Sequence, residues 1–247
     1  MALIKAGSID HFTVRASASK VKAFPFLENI STFAEMGEVT RKILPDSFEY
    51  AQSAEARGLS LKSLKLTEGF NGFLGNVFSS KNNVYFIAWA WDLSGQPISQ
   101  YPGDNFDVKS VIIPLKVGKL REFIGEGINL FPKRKITGGI AIRIQLWESD
   151  EDTRKLGKVM ADTSDAIKKS TLSSLISAIA LTGLSGATIT LIKDASLELA
   201  KVIGTVLESN GDDYVDFFEG YYPSDGKWET GSETYKGNSS VITLGKY

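Results

Sequence analysis

The segment IAIRIQLW, Ile140 to Trp147, constrains the fold more than any other part of the chain. Ile140, Ile142, Ile144 and Leu146 fall on one face of an extended backbone, and Arg143 and Gln145 fall on the other. That period of two is the mark of a strand with a core beneath it. A turn signal, Gly138 and Gly139, precedes it. LSLKSLKLT (59–67) and VYFIAWAWD (84–92) read as strands as well. The second carries aromatic residues on both faces, so it is expected at the centre of a sheet and covered on both sides, with Trp89 and Trp91 sharing one face. KSVIIPLKV (109–117) supplies another, and Pro114 within it predicts an edge or a bulge because proline cannot donate to the ladder. DYVDFFEGYY (213–222) and SSVITL (239–244) add two more, separated by a Gly- and Ser-rich connection that holds Trp228. The expectation is a mainly β fold, an antiparallel β-sandwich.

Between Trp147 and Asp213 the period changes to about 3.6. Ile167, Leu172, Leu175, Ile176 and Ile179 fit one helix, with a capping-type sequence at Asp162 to Asp165. Ile192, Ala195, Leu199, Val202 and Val206 fit a second, ended by Asn210 and Gly211. The pattern predicts an inserted two-helix hairpin over about 162–208. Nearer the N-terminus, Leu27 to Leu44 fits a helix stopped by Pro45 and Asp46 to Arg57 another, while a strand around His11 to Ala16 fits equally. No repeat and no long linker divides the 247 residues, which are read as a single domain over 1–247.

Composition removes whole classes of chemistry. The chain has no cysteine, which excludes disulfides, thiolate metal sites and cysteine nucleophiles. Its one histidine, His11, excludes a polyhistidine metal cluster and leaves a serine triad no sequence support, since no Gly-x-Ser-x-Gly elbow occurs. Lys plus Arg (28) balances Asp plus Glu (29), so nucleic acid is not an expected partner. Phosphate-loop, dinucleotide and zinc-protease motifs are missing too. The opening residues contain no apolar run of leader type, which fits either a secreted or a cytoplasmic protein.

Two features carry functional expectations. Acids cluster where the helical insertion begins and ends: WESDED (147–152) and NGDDYVD (210–216). If the flanking strands pair, Glu148, Asp150, Asp152, Asp212 and Asp213 converge at one edge of the sandwich. Carboxylates gathered in that way need a cation or raised pKa values, and calcium is the hard ion that takes such oxygen ligands. The bland alternative is a set of solvated turn acids. IRIQLWESD, followed by SNGDDYVDFF, resembles the strand, acidic loop and strand pattern of the C2-type calcium- and lipid-binding β-sandwich, over about a third of the chain. The resemblance implies that Glu148, Asp150 and Asp213 take the places of loop acids, and that Asp92, in WAWDLSG, stands for the acid of the other binding loop. Glu148 replaces an aspartate of that pattern and Asp216 a glycine.

The second feature is the charge-free stretch from Ser170 to Ile192, bounded by Lys168, Lys169 and Lys193. Its Ser, Thr and Gly content suits a hairpin packed on the sandwich, and its length also suits a segment released into a bilayer. Lys116, Lys119 and Arg121, and Lys133, Arg134 and Lys135, could attach a surface to anionic lipid. The leading expectation is a non-enzymatic, toxin-like protein binding a lipid membrane or a protein partner through acidic loops, with or without calcium. A structural or assembly subunit that uses the hairpin for contact is the alternative. A hydrolase using a pair such as Asp150 and Asp213, which would need to stand roughly 5–10 Å apart, comes third.

Overall fold

A computed structural model describes residues 3–6, 52–68, 82–104, 106–149, 153–182, 186–208, 213–225 and 227–247. The described elements run β1 Leu3–Ala6, β2 Arg57–Leu66, β3 Asn82–Trp91, β4 Ser99–Tyr101, α1 Val108–Val111, β5 Ile113–Leu115, β6 Leu120–Glu122, β7 Ile128–Arg134, β8 Gly139–Glu148, α2 Thr153–Lys168, α3 Thr171–Thr182, α4 Gly186–Glu208, β9 Asp213–Pro223, β10 Gly231–Lys236 and β11 Ser240–Lys246. The strands form two antiparallel sheets packed as a sandwich. One has the order β1-β9-β8-β3-β4, with β5 also on β3; the other has the order β10-β11-β2-β6, with β7 also on β2.

The alternation read from β8 decides what each face of the first sheet meets. Ile140, Ile142, Ile144 and Leu146 lie against Val84, Phe86, Ala88 and Ala90 of β3 and against Leu59, Leu61, Leu64 and Leu66 of β2, in the core between the sheets. The opposite face of the same sheet carries Tyr85, Ile87, Trp89, Trp91 and Trp147. Trp89 and Trp91 do share a face, and β3 is covered on both sides as its composition predicts. Each large aromatic takes roughly 150–250 Å² out of water, worth about 4–6 kcal/mol before entropy is counted. So aromatic a face needs a cover, and the helices provide it.

The helical insertion is present, but it consists of three helices where the pattern predicts two, and it opens earlier than its apolar spacing suggests. α2 begins at Thr153 and runs straight through the 162–165 sequence. Leu156, Val159, Met160 and Ile167 are buried, and Thr163 and Ser164 lie in the same buried stripe, so these polar residues are interior to a helix. The break that separates the helices comes at Ser170, whose Oγ accepts from the Ser173 N–H at 3.1 Å as an N-cap does. Leu172, Ile176 and Ile179 of α3 and Ile192, Leu199, Ile203 and Leu207 of α4 then complete the cover. Ser174 and Ser177 donate to the carbonyls of Ser170 and Ser173, which absorbs hydroxyls in the charge-free stretch without any tertiary partner. Among the described residues no helix is long and apolar enough to cross a membrane.

Other expectations resolve locally. Of the strand expected over 109–117 only Ile113–Leu115 forms, Val108–Val111 being a helical turn, and Pro114 sits in that short strand on the margin of the first sheet, opposite Asn83, where no donor is needed. The connection around Trp228 contains an additional strand, β10, paired along its length with β11. The proposed helix over Asp46 to Arg57 is not formed in its described part: Gln52 bridges Thr137 and Arg57 starts β2. Leu27 to Leu44 and His11 to Ala16 lie outside the described residues.

Candidate functional site

The supposition that the acids flanking the helices meet can be tested on the strand register. β8 and β9 pair directly, and their last shared position sets Glu148 opposite Asp213. A bulge between Leu146 and Trp147 keeps the register such that Asp216 opposes Leu146, Tyr214 opposes Trp147 and Asp213 opposes Glu148. The helical insertion therefore leaves and re-enters the sheet at neighbouring points on one rim.

β3 contributes to the same rim. Val84 opposes Glu148, and the Ser149 N–H donates to the Asn83 carbonyl at 2.8 Å. Asn82 lies two residues further out than Val84, on the same face of its strand by the period of two. It is 4% exposed, and its Oδ1 has no hydrogen-bond partner. Glu148, opposite Val84, is buried at 2% exposure. Register thus sets Asn82 and Glu148 on the inward face of the first sheet at one end, with the Asp213 backbone paired opposite Glu148.

The second sheet closes this end of the sandwich from the other side. The Gly118 N–H donates to the Leu66 carbonyl and the Thr67 N–H to the Ser239 carbonyl. Asp216, fully buried, reaches across: its carboxylate accepts from the Asn238 N–H at 2.7 Å, the Ser239 N–H at 3.0 Å and the Ser240 hydroxyl at 2.6 Å. Asp216 is thus a clamp between β9 and the β10–β11 turn. Gly237 lies so close to it that an added Cβ would stand 2.3 Å from its Oδ2. Burial, and secondarily the Asp216 charge, push the neighbouring Tyr214 hydroxyl well above its ordinary value, so it stays protonated. Its ring meets Trp147 edge-on with centroids 5.5 Å apart.

The other sequence-predicted acids separate into two groups. Asp92 follows the far end of β3, eight residues from Val84, a distance of about 26 Å at strand rise. There its carboxylate accepts from Arg134 at 2.9 Å, the Thr137 N–H at 3.0 Å and the Ser94 hydroxyl at 2.8 Å. It fastens that end of the sandwich and does not join Glu148 and Asp213. Asp150, Asp152 and Asp212 lie outside the described residues. Among the described residues no three of His, Asp and Glu stand together as a metal-binding group.

Asn82 escapes the sequence reading, and Asp216 stands in it as part of an acidic run and not as a clamp. Asn82 gave no signal, being one of two asparagines before an apolar strand. Asp216 did leave a trace, a charge at a core-facing position of an alternating strand. A shallow cleft of about 340 Å³ also opens between Gln100, Asp104 and Lys168. Its acid is already engaged: the hydrogen bond from Lys168 is the largest influence holding the Asp104 carboxyl below its ordinary range, and Ser164 and Gln100 add to it. No known family model matches the chain, and no curated protein matches its sequence.

Proposed function

We propose that this chain is a non-enzymatic binding protein whose acidic rim takes a hard divalent cation, calcium by its donor chemistry, and presents it to a partner surface. The observation that carries this reading is the pairing of Glu148 with Asp213, with the buried and unpartnered Oδ1 of Asn82 on the same face. An oxygen-only set of two carboxylates and an amide carbonyl suits calcium, which takes six to eight oxygens in loose geometry. The fit is to the ion's chemistry, and water can supply the remaining oxygens. The partial C2-type resemblance of the sequence points the same way. With one histidine and no cysteine in the chain, the reading needs no nucleophile.

Calorimetric titration with calcium chloride tests it. The wild-type protein is expected to give heat at calcium concentrations up to about 1 mM, the range of weak loop sites. Its unfolding temperature should rise with calcium, because a ligand that binds only the folded state stabilises it. Glu148→Gln with Asp213→Asn should remove both effects, and Asn82→Ala should weaken them. Absence of heat and of thermal stabilisation in the wild-type protein would end the cation reading.

A further inference from the structure

We infer that the edge of the second sheet, from Lys116 to Glu126, docks on an anionic lipid bilayer with Ile124 as its inserted side chain. This reading shares none of the proposed cation ligands and does not depend on them.

β6 and β7 both run antiparallel to β2: Leu120 opposes Lys65 and Glu122 opposes Ser63, then Ile128 opposes Leu61 and Arg57 opposes Arg134. They are one edge strand, interrupted by a loop at 123–127 that swings out from the ladder. Ile124 at the tip of that loop is 99% exposed. Water gains nothing from a bare isoleucine, and a solitary one on a surface needs no account. This one has company: Leu120 and Val117 are 55% and 44% exposed on the same edge. Half of the six large exposed hydrophobics among the described residues therefore fall within eight residues of chain.

The loop is also held in place. Phe123 packs against the sandwich core, and its N–H donates to the Lys62 carbonyl at 2.9 Å. Lys62 Nζ spans the loop to the Gly125 carbonyl at 3.0 Å and the Glu126 carboxylate at 3.2 Å. Gly127 has φ +83° and lies so tightly on β2 that an added Cβ would stand 2.3 Å from the Leu61 carbonyl oxygen. A turn already fixed presents its tip without an ordering cost on binding.

Charge identifies the occupant. Lys116, Lys119 and Arg121 are exposed and interleave with Val117 and Leu120, against Glu122 and the Glu126 that Lys62 already engages. Cations alternating with apolar side chains match the boundary of an anionic bilayer, where acyl chains lie beneath phosphates. Edge protection alone accounts for lysines and for the loop interrupting the strand, both of which discourage strand addition. It does not account for Ile124, since a bare aliphatic group at the tip of an edge defeats that purpose.

The test is sedimentation of the full chain with vesicles of 30% phosphatidylserine in phosphatidylcholine, in buffer containing EDTA so that any cation-dependent contribution is absent. Binding is expected, weakened by raised salt and lost on pure phosphatidylcholine. Ile124→Asp should lower the partition coefficient about tenfold or more, the lower bound for full burial of an aliphatic side chain. Lys119→Ala with Arg121→Ala should lower it about 25-fold, near fivefold for each cation removed at the surface. All these positions are exposed, so unfolding temperatures should stay at the wild-type value and separate lost docking from lost fold. No binding by the wild-type protein, equal binding to neutral vesicles, or undiminished binding by Ile124→Asp would each overturn the inference. Binding that appears only when calcium replaces EDTA would likewise overturn it, and would instead favour the cation rim.

Discussion

Arg143 and Glu219 face each other across β8 and β9 as a buried ion pair, each residue 6% exposed, with the Arg143 guanidinium 5.1 Å from the Trp91 ring. They lie on the face of the first sheet that bears Trp89 and Trp91, where water is scarce. Burial drives the Glu219 carboxyl upward, and the neighbouring guanidinium draws it back. A pair of this kind is worth little against a well-packed apolar replacement, but losing one partner leaves an uncompensated charge in the interior.

Arg143→Met alone is accordingly expected to destabilise the protein by about 3 kcal/mol or more, as is Glu219→Leu alone. The double variant should recover most of that loss. Urea unfolding of the four proteins in the cycle measures the coupling, and additive single effects would show that the pair is not the unit.

The Asp216 clamp gives a second expectation. Replacing Asp216 by alanine strands two backbone N–H groups and a serine hydroxyl at the β10–β11 turn, at a cost of about 3 kcal/mol. Amide exchange at Asn238 and Ser239 should accelerate ahead of exchange in β2 and β3. Unchanged protection at those two amides would contradict the assignment.

Acid sensitivity should trace in part to Glu233. Burial would raise this carboxyl, but hydrogen bonds from Lys246 and the Tyr235 hydroxyl outweigh burial and hold it below its ordinary range. A carboxyl with a lowered folded pKa contributes stability above its unfolded value, near 4.3, and loses it as the pH falls through the folded one. The unfolding temperature of the wild-type protein should thus fall more steeply below about pH 4.3 than that of Glu233→Gln. Coincident slopes for the two proteins would refute the assignment.

How much of this was legible beforehand depended on whether the information was local. Ile140 to Leu146 announced the strand, its faces and its core side through period alone, and Pro114 announced a margin through a missing donor. β10, GSETYK, stayed hidden because only Tyr235 of its six residues is buried, which leaves no alternation to read. The start of α2 stayed hidden because Thr163 and Ser164 interrupt the apolar stripe that continues upstream through Leu156 and Met160. The meeting of Glu148 with Asp213 could be supposed from the acids on either side of the insertion, while the position of Asp92 at the opposite end required the β3–β8 register. Asn82 is informative only once its neighbours in space are known.

The adjacency of Glu148 and Asp213 has a consequence for how the molecule can change over generations. Strands joined side by side need only a short bend to connect them, so the some sixty residues between contribute nothing to the threading of the sheet. What they contribute is a roof over Tyr85, Trp89, Trp91 and Trp147. A roof is specified by shape and greasiness far more loosely than a strand is specified by its partner. Homologues should therefore keep the two anchoring strands and the aromatic floor while the helices above differ in number, length and tilt.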